Sequence, residues 1–199
     1  MSNYKRKSAE ERRSEILEAA TAIFLEKGYL ATTMEDIIAE TTLSKGGFYH
    51  YYNNTREIMT DLIRQKNYND LGNSERLFEA RTKEELRRII ADIFVDRMFD
   101  DSPQHKLHLM MAYELVYDDA FLALYQEQEQ ETLTFLVEAV RNVDSATSLS
   151  VSDPELLLLY RINNTLHFVE NLYSNKQEFG LNREVLFNFY YDMLKKLIS

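Results

Sequence analysis

Apolar residues recur at helical spacing almost from the start of the chain. Ser8-Ala-Glu-Glu11 has the capping-box pattern, with Ser8 as N-cap and Glu11 reaching back. Ile16, Ala20, Ile23 and Phe24 then follow on one face, and Lys27-Gly28 supplies a terminal cation and a residue that tolerates a left-handed cap. A first helix is predicted over Ala9–Lys27. Thr32 or Thr33 caps a short second helix, Met34 to Glu40, with Glu35 and Asp36 in its positive first turn and Ile37 and Ile38 turned inward. Thr41 to Leu43 form a tight connection, and Ser44 caps a third, very short helix, Lys45 to Tyr51. Asn54 and Glu57 form a box-like pair opening a fourth helix with Ile58, Leu62 and Ile63, which ends or bends near Gly72-Asn73-Ser74.

Further along, Thr82-x-x-Glu85 opens a fifth helix with Leu86, Ile90, Ile93 and Phe94 as its stripe. Ser102-Pro103 and Asp153-Pro154 each join a capping residue to proline at the first helical position. They start a sixth helix, to about Tyr117, and an eighth, to about Tyr173. A seventh covers about Asp119 to Val143, Asp144 to Ser152 is a Ser-rich loop, and Asn182 caps a ninth that runs to the end. No strand pattern or repeat interrupts this series. The fold class is therefore all-α with about nine helices: a helix-turn-helix domain over 1–54, a linking fourth helix over 55–72, and a helical domain over 73–199.

Composition agrees. At 199 residues the chain holds one or two domains, and 45% hydrophobic with 28% charged residues suits a globular core. Five glycines and two prolines are too few for a chain of many turns. The absence of cysteine excludes a disulfide scaffold, a thiolate zinc site and a cysteine nucleophile. The polar N-terminus carries no signal-peptide core, and the longest unbroken apolar run, Ala120 to Tyr125, is far too short for a membrane span, so a cytoplasmic protein is expected.

The net charge of −10 argues against nucleic acid only until it is divided along the chain. Residues 1–66 carry ten basic and ten acidic groups, and residues 67–199 carry 13 and 23. Residues 1–13 hold five basic groups against two acidic, and residues 44–66 hold four against two. DNA responds to the face presented to it more than to the total. The third helix sharpens this reading. Phe48 and Tyr52, four apart, share the inward side, leaving Lys45, Tyr49, His50 and Tyr51 largely outward. Tyrosine hydroxyls, ring N–H groups and an ammonium all suit phosphates, and Gly46 and Gly47 permit close backbone approach to a groove. Taken alone, Lys45 or His50 is more plainly a surface residue; together they point to DNA.

At these residues the sequence resembles the tetracycline-repressor (TetR) family of bacterial regulators. The likeness covers about Arg12 to Ile63. It includes Ile16-Leu-Glu-Ala-Ala20, Phe24-x-x-Lys-Gly28, Thr32-Thr33, Asp36-Ile37 and Ser44-Lys-Gly46 followed by Tyr49-His-Tyr51. The resemblance implies a homodimeric repressor whose third helix enters the major groove of double-stranded operator DNA, and a C-terminal helical domain that binds a small-molecule effector. By position, it gives Lys45 a reach to bases or nearby phosphates. It makes Tyr49, His50 and Thr33 phosphate anchors, turns Tyr51 toward the backbone, and matches Phe48 and Tyr52 to core positions. Three positions depart from the pattern: Thr42 where the turn often has glycine, Gly47 where a threonine often reads a base, and Thr55 where a lysine often grips phosphate, with Arg56 beside it. The DNA-facing set is then Thr33, Ser44, Lys45, Gly46, Gly47, Tyr49, His50, Tyr51, Thr55 and Arg56. Lys5, Arg6 and Lys7 read either as a minor-groove arm or as a solubilising tail.

For the effector domain the resemblance gives a role but no motif. The sixth helix is apolar nearly all round with Glu114 in its middle, and the eighth carries Asn163, Asn164, His167 and Glu170 among apolar neighbours. Tyr113, Glu114, Tyr117, Asn163, His167 and Glu170 are the candidate ligand contacts, suited to an apolar or cationic effector. Each of them also reads as a core or rim residue. The ninth helix has Leu186, Tyr190, Met193 and Leu197 on one side and Phe187, Tyr191, Leu194 and Ile198 on the next. The eighth has Leu158, Ile162, Leu166, Val169 and Tyr173 on one face. So much apolar surface suits a two-fold interface through helices eight and nine. An activator or a partner-regulated helical module fits the same pattern. An all-α enzyme fits less well, since no di-iron Glu-x-x-His pair, His-Glu-x-x-His motif or Gly-x-Ser-x-Gly elbow is present. No cofactor or metal is expected.

Overall fold

The computed structural model describes residues 7–73, 75–172 and 182–199; for residues 67–73, 168 and 170–172 it describes the backbone alone. Its described residues form nine α-helices and one 3-10 turn, with no strand. They divide into two compact units, Met1–Lys66 with Asp101–Phe121, and Asn67–Asp100 with Leu122–Ser199.

The first unit contains α1 (Ala9–Lys27), α2 (Met34–Ala39), α3 (Lys45–Tyr49), the start of α4 (Thr55–Asn73) and α6 (Pro103–Glu114). The capping box at Ser8 forms in both directions, and Gly28 ends α1 at φ 81°, in the region glycine occupies without strain. Ile16, Ala20 and Phe24 of α1, Ile37 of α2, Phe48 of α3 and Ile58, Met59 and Ile63 of α4 are fully buried and make this unit's core. α6 packs along α1. It ends at Glu114 rather than near Tyr117, where the Tyr117 and Asp118 N–H groups both turn back to the Glu114 carbonyl.

The helix α3 is shorter than its sequence suggests. Ser44 caps it, with its hydroxyl accepting from the Gly47 N–H at 3.2 Å. Two glycines in five residues supply little helix propensity. Beyond Tyr49 the chain tightens, and the Tyr51 N–H reaches the Phe48 carbonyl at 2.9 Å.

In the second unit, α5 (Lys83–Met98), most of α7 (Asp119–Val143), α8 (Pro154–Leu172) and α9 (Arg183–Leu197) enclose a core of Leu86, Phe94, Leu133, Val140, Leu159 and Tyr190. A 3-10 turn that the periodicity did not announce, Glu75–Glu79, buries Leu77 there. α9 lies along α5, with Phe94 and Tyr190 edge to face at 5.3 Å between ring centres. This packing takes up both apolar sides of α9: Leu186, Tyr190, Tyr191, Leu194 and Ile198 are buried, and Phe187, Met193 and Leu197 are half-buried. Val185 and Phe189 remain exposed, as do Leu158 and Val169 on α8. Among the described residues no helix is long and apolar enough to cross a membrane.

Candidate nucleic-acid interface

Position on α3 sorts its side chains. Phe48 is fully buried and Tyr52, just beyond, nearly so. Lys45, Gly46, Tyr49 and His50 are exposed, and Tyr51 is half-buried with its ring edge-on to His50 at 5.7 Å. Nothing lies within 4 Å of where a Cβ on Gly46 would stand. A Cβ on Gly47 would meet the capping Ser44 hydroxyl at 3.2 Å.

The Lys45 ammonium is engaged. It donates to Glu35 Oε1 of α2 at 2.8 Å and stands 5.9 Å from the centre of the Tyr49 ring. The Glu35 carboxylate raises the lysine's pKa, and the lysine in turn lowers that of Glu35. Thr33 and Ser44 are exposed, but both hydroxyls serve as helix caps; that of Thr33 also donates to Asp36 at 2.7 Å. Asp36 accepts from Lys27, then from the Thr33 N–H and hydroxyl, and these bonds hold its pKa at about 2. Thr55, half-buried, opens α4. Arg56 pairs with Asp118 at 2.8 Å within the first unit.

Two networks fix this surface from behind, and neither was visible as a pattern. Glu15 of α1 accepts from the Thr42 N–H at 2.7 Å and hydroxyl at 2.5 Å, in the turn between α2 and α3. Arg12 and Lys7 bind its other oxygen at 2.7 and 3.0 Å. Burial alone would raise the Glu15 pKa; the bonds from Thr42, Lys7 and Arg12 overcome that and bring it to about 2. Thr42 is thus the handle by which α1 grips the turn. The second network joins Arg13 in two bonds to Asp61 of α4, at 2.7 and 2.6 Å, and brings the Tyr52 hydroxyl onto the same carboxylate. Only the wide separation of its members hid either network from the sequence.

The two anchored short helices, with one aromatic-and-lysine face outward, coincide with a known sequence family. Residues 16–62 match the family model for bacterial regulatory proteins, tetR family. Over these residues the chain is similar to the tetR family. Among curated relatives it is similar to YfiR of Bacillus subtilis (strain 168), an uncharacterized HTH-type transcriptional regulator, with 43% identity over 54 residues, 27% of this chain and 26% of that protein. It is also similar to the HTH-type transcriptional repressor KstR2 of Mycobacterium tuberculosis (strain CDC 1551 / Oshkosh), with 40% identity over 53 residues, 27% of this chain and 26% of that one. The chain thus spans about a quarter of the length of these curated relatives. The fold likeness extends further. A SmeT–triclosan complex superposes with a TM-score of 0.71 over 92% of this chain and 89% of that one at 18% identity. The all-α fold is therefore shared over nearly the whole length of this chain.

Of the candidate effector contacts, Tyr113 and Tyr117 are exposed and Glu114 is buried, all in the first unit. Asn163 and His167 are buried on α8 in the second. Beside them the Asn164 amide donates to the Tyr125 hydroxyl of α7 at 3.0 Å. The side chain of Glu170, and residues Lys5, Arg6 and Tyr173, lie outside the described residues.

Proposed function

We propose that the protein is a DNA-binding transcriptional regulator, a homodimeric repressor that leaves its operator when a small effector binds the C-terminal helices. The observation that carries this reading is the outward face of α3: Lys45, Tyr49 and His50 exposed around an open Gly46. Tyrosine, histidine and lysine side chains donate to phosphate oxygens and fix register on a duplex, and a helix of this size fits the major groove. The N-terminal identity to a repressor supports the sense of control.

Two copies would set two α3 helices one helical turn of DNA apart. The uncovered apolar residues Leu158 and Val169 of α8 and Val185 and Phe189 of α9 are the surface through which they pair. The effector meets Asn163 and His167, polar groups set into the apolar core side of α8. A ligand that prefers the geometry unable to span two half-sites would shift α4 and release the DNA. The same architecture accommodates an activator, but the repressor relative favours release.

Selection of duplexes from a random pool tests the function directly. A palindromic product is expected. Its affinity should fall steeply with salt, and Lys45→Ala should weaken it about tenfold. Failure of the wild-type protein to bind any duplex at low salt rejects the reading.

A further inference from the structure

The proposed DNA-facing surface contains a carboxylate that phosphate binding does not explain. Glu35 and Lys45 form an ion pair at 2.8 Å between α2 and α3, with side chains 62% and 65% exposed. A pair so open to water adds little to the fold. A lysine meant only for phosphate gains nothing from a carboxylate at hydrogen-bonding distance, which repels the same phosphate. The neighbouring acid is different: Asp36 is consumed by Lys27 and by the cap at Thr33, and its place is structural. Glu35 takes no part in the capping box, which Thr33 and Asp36 close between them; its local role is that of an acid in the positive first turn of α2.

Base edges present the matching chemistry. In the major groove a G·C pair shows the acceptors O6 and N7 of guanine beside the N4 amino donor of cytosine. The O6 and N4 atoms are hydrogen-bonded partners, about 2.9 Å apart. An ammonium and a carboxylate oxygen 2.8 Å apart offer a donor and an acceptor at that same spacing. The Tyr49 ring, its centre 5.9 Å away, is the other neighbour of the ammonium on α3. Resting on the DNA-binding reading above, we infer that Glu35 and Lys45 together read one G·C base pair in each half-site, Lys45 donating to guanine and Glu35 accepting from the cytosine amino group. Glu35 is then a specificity-determining residue. The charge it removes from Lys45 weakens binding to unrelated DNA, where no cytosine amino group meets it.

The experiment is selection from a random duplex pool with the full-length wild type, Glu35→Ala, Lys45→Ala and the charge-matched control Glu138→Ala, an exposed residue of α7. Wild type and Glu138→Ala are expected to hold one position per half-site as G·C, disfavouring A·T there about tenfold. Glu35→Ala relaxes the preference at that position alone, Lys45 still donating to guanine, while retaining affinity for the rest of the site. A second measurement needs no variant: replacing that cytosine with 2-pyrimidinone, which lacks the N4 amino group, weakens the wild type about tenfold and leaves Glu35→Ala unchanged. If Glu35→Ala selects the wild-type sequence with undiminished strictness, binds all sequences more tightly to the same degree, or if the pyrimidinone duplex binds the wild type as well as its parent, the inference is overturned while the regulator survives. If the wild type selects no duplex, both fall.

Discussion

A single carboxylate, Glu15, braces the proposed DNA-facing surface from behind. It ties α1 to the α2–α3 turn through both polar groups of Thr42 and gathers Arg12 and Lys7 beside them. Hydrogen bonds to charged groups contribute about 1.5–3 kcal/mol, so Glu15→Ala should lower the melting temperature by several degrees. The pH dependence has a definite sign. Its pKa is depressed from an ordinary 4.5 to about 2 in the folded protein, so its contribution is present above 4.5 and is lost as pH falls toward 2. Thermal melts of wild type and Glu15→Gln at stepped pH should therefore differ most near neutrality and converge between about pH 4.5 and 2. A constant gap down to pH 2 would mean that the carboxylate's charge is not what holds the turn.

Among the elements, α3 is the least self-sufficient. It has five residues, two of them glycine, one capping serine and one buried anchor, Phe48. The glycine at 46 is not required by its own backbone: its φ is not positive, and an added methyl would meet nothing. Alanine there should stabilise the protein by roughly 0.5–1 kcal/mol in a denaturant melt. The same methyl would stand between the helix and a groove, so Gly46→Ala should also weaken operator binding by about tenfold. Stability and affinity moving in opposite directions is the signature of a glycine kept for a partner; equal affinity would detach Gly46 from the interface. Gly47 differs, because its added Cβ would press on the Ser44 hydroxyl that caps the helix.

For the whole molecule, charge and apolar surface are distributed by task. The acidic excess lies entirely in residues 67–199, leaving residues 1–66 neutral with basic segments at 1–13 and 44–66. Buried apolar faces on α9 are used up against α5, so the surface we propose for a second copy is smaller than the sequence suggested: Val185 and Phe189 with Leu158 and Val169. Val185→Asp places a charge on that surface and leaves in place the ring contact between Phe189 and the core residue Tyr190. Sedimentation velocity should show a shift from dimer to monomer at micromolar concentration, with loss of most operator affinity, because one half-site alone binds weakly. A variant that stays dimeric would move the interface elsewhere.

The sequence by itself determined the order of helices, most of their caps and the outward face of α3, because these depend on neighbours within about four residues. Ser8 with Glu11, Thr82 with Glu85, and Asn182 with the Val185 N–H all close as their spacing requires. The shortening of α3 and the 3-10 turn over Glu75–Glu79 escaped, since both are settled by turn geometry and burial, which periodicity does not encode. Tertiary structure alone decided which charges meet. Glu15 finds Thr42 across 27 residues, Arg13 finds Asp61 across 48, and Glu35 finds Lys45 across ten. An ion pair between distant residues leaves no periodic trace, because any acid and any base of suitable reach satisfy Coulomb's law equally. Only the packing of Ile16, Ile37, Phe48 and Ile63 into one core selects the partners.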